Sequence, residues 1–327
     1  MALPADSYHK AEGASSLIGV REDLSDIIYD ISPMDTAFMT AAGRGKASNT
    51  IHEWQTHELA AAASAAAPNV AIEGDDATND TPVQTVRLEN RTQIMDKVVQ
   101  VTRTVEATRR AGRANEMAQQ MFYRMRELKR DLEGQFCQNP PRTISSGTGA
   151  RKAAGFETWI HDDNSVRGAG GADTAGLPAS PTDTAQPTDG TQVDITEDKF
   201  KSMLQKVWTK GGDASLILAG PVNKQKIDGF AGNATPMVNV EGGVRMATFS
   251  VYVSPFGRHK IVPSRYVRER SVLGITPEYV KIAYLRPFQS QELAITGDSR
   301  RRQIVVEATL EMCNPNAHGI VADLTTT

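Results

Sequence analysis

Two histidines and a glutamate fall within one six-residue stretch, His52-Glu53-Trp54-Gln55-Thr56-His57, the first place to look for metal chemistry. A zinc-protease helix carries its histidines four apart on one face, with the glutamate as general base. Here the histidines are five apart, in a stretch that reads as a strand, so they point to opposite faces. Gly43-Arg44-Gly45-Lys46 is too short for a phosphate-binding loop and follows no strand; it reads as a turn. Asp75, Asp76, Asn79 and Asp80 carry calcium-type oxygens but miss the helix-loop-helix spacing, which leaves a solvated loop tip. Cys137 and Cys313 have neither metal spacing nor a disulfide framework and read as free thiols of a reducing compartment. No local motif brings Ser, His and Asp, or Cys and His, together. No catalytic residue, metal ligand or cofactor is expected.

The cations tell little more. From Ala107 to Phe136 seven basic residues stand against four acidic ones, and Arg300-Arg301-Arg302 forms a second basic patch. Ion pairs along a solvated helix face account for such a pattern; contact with a polyanion or an acidic partner is the functional alternative. The net charge of −3 argues against tight duplex binding, which calls for a strongly basic surface. A hydrophobic fraction of 39% is low for an enzyme and fits a chain with much surface. No apolar run is long enough to span a bilayer, and the first residues lack a signal peptide's basic start and apolar stretch. The expectation is a soluble protein made and kept inside a cell.

The elements are more informative than the candidate sites. The spacing of Ala111, Ala114, Ala118, Met121, Met125, Leu128 and Leu132 predicts one helix over 107–136, roughly 45 Å long at the usual rise, with a single apolar stripe. Its small first half favours packing on a sheet over a free coiled coil. Upstream, 49–91 reads as a two-stranded arm around an Ala-, Asp- and Asn-rich tip, with strands at about 50–59 and 82–91. Such a hairpin buries little against itself and needs a partner surface. Before it, Leu17, Ile18, Val20, Leu24, Ile27, Ile28 and Ile31 recur at helical spacing up to Ser32-Pro33, and a short helix is expected over 34–42. A Val-rich strand is expected over 94–104 and a short buried strand over 155–160, followed by a surface loop or ordered insertion over 161–192. From Thr196, which is placed to cap a helix, the pattern is α/β to about 265. It closes with strands near 279–284 and 301–312, where Ile304, Val306, Ala308, Leu310 and Met312 share one face.

The order of these parts, together with Ile31-Ser32-Pro33-Met34-Asp35-Thr36-Ala37-Phe38, Gly155-Phe156-Glu157-Thr158-Trp159-Ile160 and the closing Gly319-Ile320-Val321, resembles the major capsid (major head) proteins of tailed bacteriophages. These share the Hong Kong 97-type fold, an α+β architecture, and the resemblance covers nearly the whole chain. It implies an N-terminal arm over 1–45, an extended loop over 46–93 and a peripheral domain over 94–155 carrying a spine helix. An axial domain over 156–265 and a return to the peripheral domain over 266–327 would complete it.

The resemblance further implies a structural protein of the virion capsid, assembled in the host bacterial cytoplasm. It would form hexameric and pentameric capsomers of an icosahedral head around double-stranded DNA. A portal, a scaffolding protein and a cement protein are implied partners, with no membrane. Trp54, His57, Val70, Ile72, Val86 and Leu88 would make inter-subunit contacts of the extended loop. Met121, Met125, Leu128 and Leu132 would be the spine helix's core residues. Arg109, Arg113, Arg126 and Arg130 would touch DNA weakly and without sequence preference. Two rivals stand beside this reading: an encapsulin-like shell of a non-viral compartment, and a cytoplasmic α/β enzyme.

Overall fold

The structure, a computed structural model, describes residues 35–59, 62, 69–70, 72–74, 76, 82–108, 115–145, 149–160, 164–173, 186–230 and 251–326. The leading stretch of Leu17 to Ile31, most of the hairpin tip with Asp75, Asn79 and Asp80, and Arg109 to Ala114 lie outside the described residues.

The described chain opens with helix α1, Ala37–Ala41, and strand β1, Gly43–Lys46. The arm follows as β2, Ile51–Thr56, paired antiparallel with β3, Val86–Arg91. Then come β4, Gln93–Thr102, helix α2, Arg103–Ala107, and helix α3, Glu116–Cys137. The second half contributes β5 (Ser165–Val166), α4 (Glu197–Thr209), β6 (Leu216–Ala219) and α5 (Pro221–Asp228). Next are β7 (Val251–Ser254), β8 (Gly257–Pro263) and β9 (Val272–Ile275). The long pair β10, Val280–Glu292, and β11, Ser299–Met312, precedes the last strand, β12, Gly319–Val321.

Two sheets organise these elements. One runs β1-β10-β11-β4 and carries α3 on one face; the other runs β5-β12-β9-β6-β8-β7. A large core joins them: Leu128, Leu132 and Phe136 of α3 meet Ile304, Val306, Ala308 and Leu310 of β11, and Leu273 and Ile320 of the second sheet close the same cluster. A smaller core of Phe200, Met203, Ile217, Tyr252 and Val321 lies under α4. The alternating stripe expected along β11 is present, with every one of its five apolar residues fully buried.

Several expectations need correction. The single helix over 107–136 is broken. Thr108 ends α2 with extended backbone, and Asn115, also extended, starts α3 by accepting from the Ala118 N–H at 3.0 Å. An Asn at that position satisfies one of the four orphan amides of a helix start, and it wins over periodicity. The helix therefore has 22 residues and spans about 33 Å. Gly43-Arg44-Gly45-Lys46 is no turn but the edge strand β1, parallel to β10. Its glycines lie against the side chains of Lys281 and Ala283, so a pleated pairing fits without large side chains.

The stretch 155–160 is buried, as expected, but as a 3-10 turn over Phe156–Trp159 rather than a strand. Gly155 approaches the carbonyls of Gln138 and Gln135 and the ring of Pro140 too closely for any side chain. Of the two alternatives for 161–192, the described residues fit an ordered insertion. Ser165–Val166 pairs parallel with β12, Ala172 bridges Thr188, and Arg167 pairs with Asp173 in a nearly closed setting. β9 and β12, both beyond 265, belong to the second sheet and not to the sheet of β10 and β11.

Candidate functional site

The arm is built from a fixed root and an exposed end. At the root, Trp54 donates its indole N–H to the Met312 carbonyl at 2.8 Å and stacks near Trp159, ring centroids 5.3 Å apart. His52 donates to the Glu311 carboxylate at 2.9 Å, and this bond, against burial, holds Glu311 below its ordinary value. Asn90, fully buried, donates to the Leu310 carbonyl at 2.7 Å and accepts from the Ala154 N–H at 3.0 Å. The buried Arg142 donates to the Glu89 carbonyl at 2.7 Å. These bonds tie both strands of the arm to β11 and to the 3-10 turn.

The position of each residue expected in the extended loop follows from that geometry. Leu88 is fully buried in the protomer's own core, so it is unavailable to a neighbour. Trp54 is committed to Met312 and Trp159 in the same chain. In a two-stranded arm whose base crosses a sheet, the inward face of the base is core before any partner arrives, which strand alternation alone does not show. His57 donates to the Val83 carbonyl at 3.2 Å across the arm. Beyond it the apolar residues are exposed: Leu59 by 87%, Val70 by 78% and Ile72 by 76%, with Val86 half exposed.

Helix α3 shows the same division. Leu128 and Leu132 are buried against the first sheet, as the stripe predicts. Met121 is partly buried between two clusters. Met125 is exposed by 36% and Phe122 by 50%, so Met125 is not a core residue. The α1 segment packs on the helix at Glu133. Glu133, missed in the sequence, is fully buried and accepts from the Phe38 and Met39 N–H groups at 2.7 and 2.8 Å. Burial raises its carboxyl above the ordinary value, against the pull of those two donors. It fastens the start of α1 to α3. Of the expected DNA-facing residues, Arg109 and Arg113 lie outside the described residues. The Arg126 guanidinium sits over the Phe122 ring, 4.2 Å from its centroid.

A second polar cluster locks the two halves of the first sheet. Glu307 of β11 accepts from Thr92 at 2.8 Å and Arg286 at 2.9 Å and pairs with Arg151. Burial alone would raise its carboxyl; the three donors overcome it and leave it below its ordinary value. Glu311, Glu307 and Glu133 each tie backbone or side chains of separate elements together. Among the described residues no group of three or more His, Cys, Asp or Glu is placed to hold a metal, and no helix is long and apolar enough to cross a membrane.

Residues 8–325 match the profile of the SU10 major capsid protein family. The chain belongs to that family. The major capsid protein of Escherichia phage Phieco32 is 26% identical to it over 335 residues, 93% of this chain and 94% of that one. The cyanophage A-1(L) capsid protein has the same fold at 11% identity, with a TM-score of 0.66 over 94% of this chain and 98% of that one. The holo-SrpI encapsulin of Synechococcus elongatus shares the fold at 11% identity and a TM-score of 0.57, over 95% and 98% of the two chains. The fold is thus the Hong Kong 97-type α+β architecture. Family and phage relative set the role: a major capsid protein of a tailed-phage virion shell, structural rather than enzymatic, with the encapsulin likeness confined to fold.

Proposed function

We propose that this SU10-type capsid protein builds hexameric and pentameric capsomers, with residues 57–85 of the arm reaching over a neighbouring subunit. The observation that supports this most is the contrast along the arm. Its root is bonded to β11 and to the 3-10 turn, while Leu59, Val70 and Ile72 at the far end are largely exposed. A soluble chain leaves such residues uncovered only at a cost, and each regains about 1.5–3 kcal/mol when a partner buries it. Summed over every arm in a shell, small contacts of this size hold a closed assembly.

In this reading residues 46–93 act as the extended loop, with only the end beyond Thr56 in contact with the neighbour. Residues 94–155 with β10 and β11 act as the peripheral part, and the second sheet with α4 as the axial part. Assembly takes place in the host cytoplasm with a portal and scaffolding protein, and a cement protein is an optional addition. Packaged double-stranded DNA touches the shell through scattered arginines, Arg109, Arg113 and Arg130, with Arg126 the weakest contributor because Phe122 already engages it.

Size exclusion with light scattering and negative-stain microscopy of the purified chain test the reading. Capsomers or closed shells are expected, alone or with the phage's scaffolding protein. A monodisperse monomer under every salt condition, with scaffold present, would overturn it.

A further inference from the structure

We propose that the exposed trough along α3 is the docking site for residues 17–31 of the same chain. Two adjoining cavities form the trough. One of about 340 Å³ is lined by Thr36, Phe122, Met125, Arg126 and Lys129. The other, about 560 Å³, shares Thr36 and Lys129 and adds Met39, Arg44 and Phe288 among its walls. The floor is apolar, with Phe122 exposed by 50% and Met125 by 36%. The rim is cationic, through Arg44, Arg126 and Lys129.

Three observations select the occupant. First, place: the described chain begins at Asp35, so the preceding 34 residues enter at Thr36, a wall common to both cavities. Second, pattern: Leu17, Val20, Leu24, Ile27, Ile28 and Ile31 follow the spacing of one apolar face of a helix, the kind of face an apolar floor takes. Third, charge: this stretch carries Glu22, Asp23, Asp26 and Asp30 against the single Arg21, opposite in sign to the rim.

Reach then favours the chain's own segment over a neighbour's. Ile31 is separated from Thr36 by only Ser32 to Asp35, which extend to roughly 18 Å at most. Proline at 33 disfavours helical backbone at Ser32, which would give the chain a bend back along α3. Bound in this way, the segment would cover Phe122 and Met125, the apolar residues of α3 that the rest of the described chain leaves open.

The test uses the full chain, before and after assembly. Ile27→Cys or Leu24→Cys is combined with Met125→Cys, and a mixture of isotope-labelled and unlabelled chains is oxidised and digested. Crosslinked peptides of one isotope only are expected from at least one of the two pairs. Peptides of mixed isotope would assign the trough to a second copy, and no crosslink from either pair would leave the segment elsewhere; both overturn the proposal. Hydrogen exchange supplies the second arm. Residues 17–31 should be protected at least tenfold over an unstructured chain, and Lys129→Glu with Met125→Asp should remove that protection while α4 keeps its own. Protection that survives those substitutions, or is missing from the unsubstituted chain, is likewise fatal. The crosslink is read in unassembled chains too, so its outcome is separate from whether capsomers form.

Discussion

His318 shows most plainly how one residue can set a solution property of this shell protein. It is fully buried, with its ring edge-on to Phe156. Its Nδ1 accepts the Thr276 N–H at 3.2 Å, which places the proton on Nε2, facing the Tyr279 carbonyl at 3.4 Å. Burial lowers its value from 6.5 to about 4, against the pull of that carbonyl. The folded state therefore binds a proton more weakly than the unfolded chain. The stability this residue supplies is complete above pH 6.5 and drains away as the pH falls towards about 4. The loss amounts to roughly 3 kcal/mol, a large part of a domain's total. Urea unfolding of the unassembled chain at pH 7 and pH 4.5 should show it, and His318→Gln should flatten that part of the profile while costing about 1–3 kcal/mol at pH 7. Glu307 and Glu311, both lowered, add acid losses further down, whereas Glu133, which is raised, works in the opposite direction, so the comparison with His318→Gln isolates the histidine. Nothing in the sequence around His318 marks it. Its partners Thr276 and Tyr279 come from a connection about forty residues upstream, a distance over which local pattern carries no information.

At the scale of elements, helix α3 and the arm divide the work, and each has its own expected variant. Leu128 and Leu132 are 1% exposed against β11, so aspartate at either leaves a buried, unpaired carboxylate. The cost of several kcal/mol on top of lost apolar burial approaches the whole stability of a domain. Leu132→Asp should give no soluble, cooperatively folded chain, as circular dichroism and expression yield would show. Removing about 60–80 should do the reverse. The root bonds of Trp54 and Asn90 stay intact, so the chain should fold with an unchanged melting curve but give no stable shells in particle counts. Unfolding of that deletion would make the tip part of the core. The elements that sequence reasoning locates well are those with strong local codes: β11 through strict alternation and α4 through its Thr196 cap. Those it misplaces depend on partners far along the chain. Gly43-Arg44-Gly45-Lys46 has no alternation to read, yet the edge of β10 makes it a strand. The stripe on α3 identifies a face correctly at Leu128 and Leu132, but period alone cannot tell that Met125 stays partly exposed while β4 still covers Met117 further along the helix. Leu88 and Trp54 are expected from the sequence to touch a neighbouring subunit; that Leu88 lies in the core of its own chain and Trp54 bonds Met312 of its own β11 is not legible there.

For the whole molecule the decisive quantity is charge, and it bears on how a shell treats its genome. Any protein that holds duplex DNA tightly neutralises many phosphates with a concentrated basic surface, and its affinity falls steeply with salt. This chain has a net charge of −3, and its helix cations are partly spent internally. Arg124 pairs with Glu127 at 2.6 Å and Arg126 lies over Phe122, while Lys97 of β4 pairs with Asp131 of the helix at 2.8 Å. Arg103 approaches Asp298 at 3.6 Å near the end of the β10–β11 pair. Among the described residues what remains is dispersed, and a surface of that kind meets phosphates rather than base edges. On the proposed role, that would suit a container through which DNA slides during packaging and leaves during ejection. Replacing Arg109, Arg113 and Arg130 with alanine should accordingly leave empty-shell assembly unchanged. It should shift genome retention in filled heads only modestly. Purified capsomers should bind a short duplex weakly, without sequence preference, and release it by physiological salt in a filter or anisotropy titration. Salt-resistant binding to one sequence would require a clustered basic face elsewhere on the molecule and would remove the reading of the inner surface as a loose electrostatic lining.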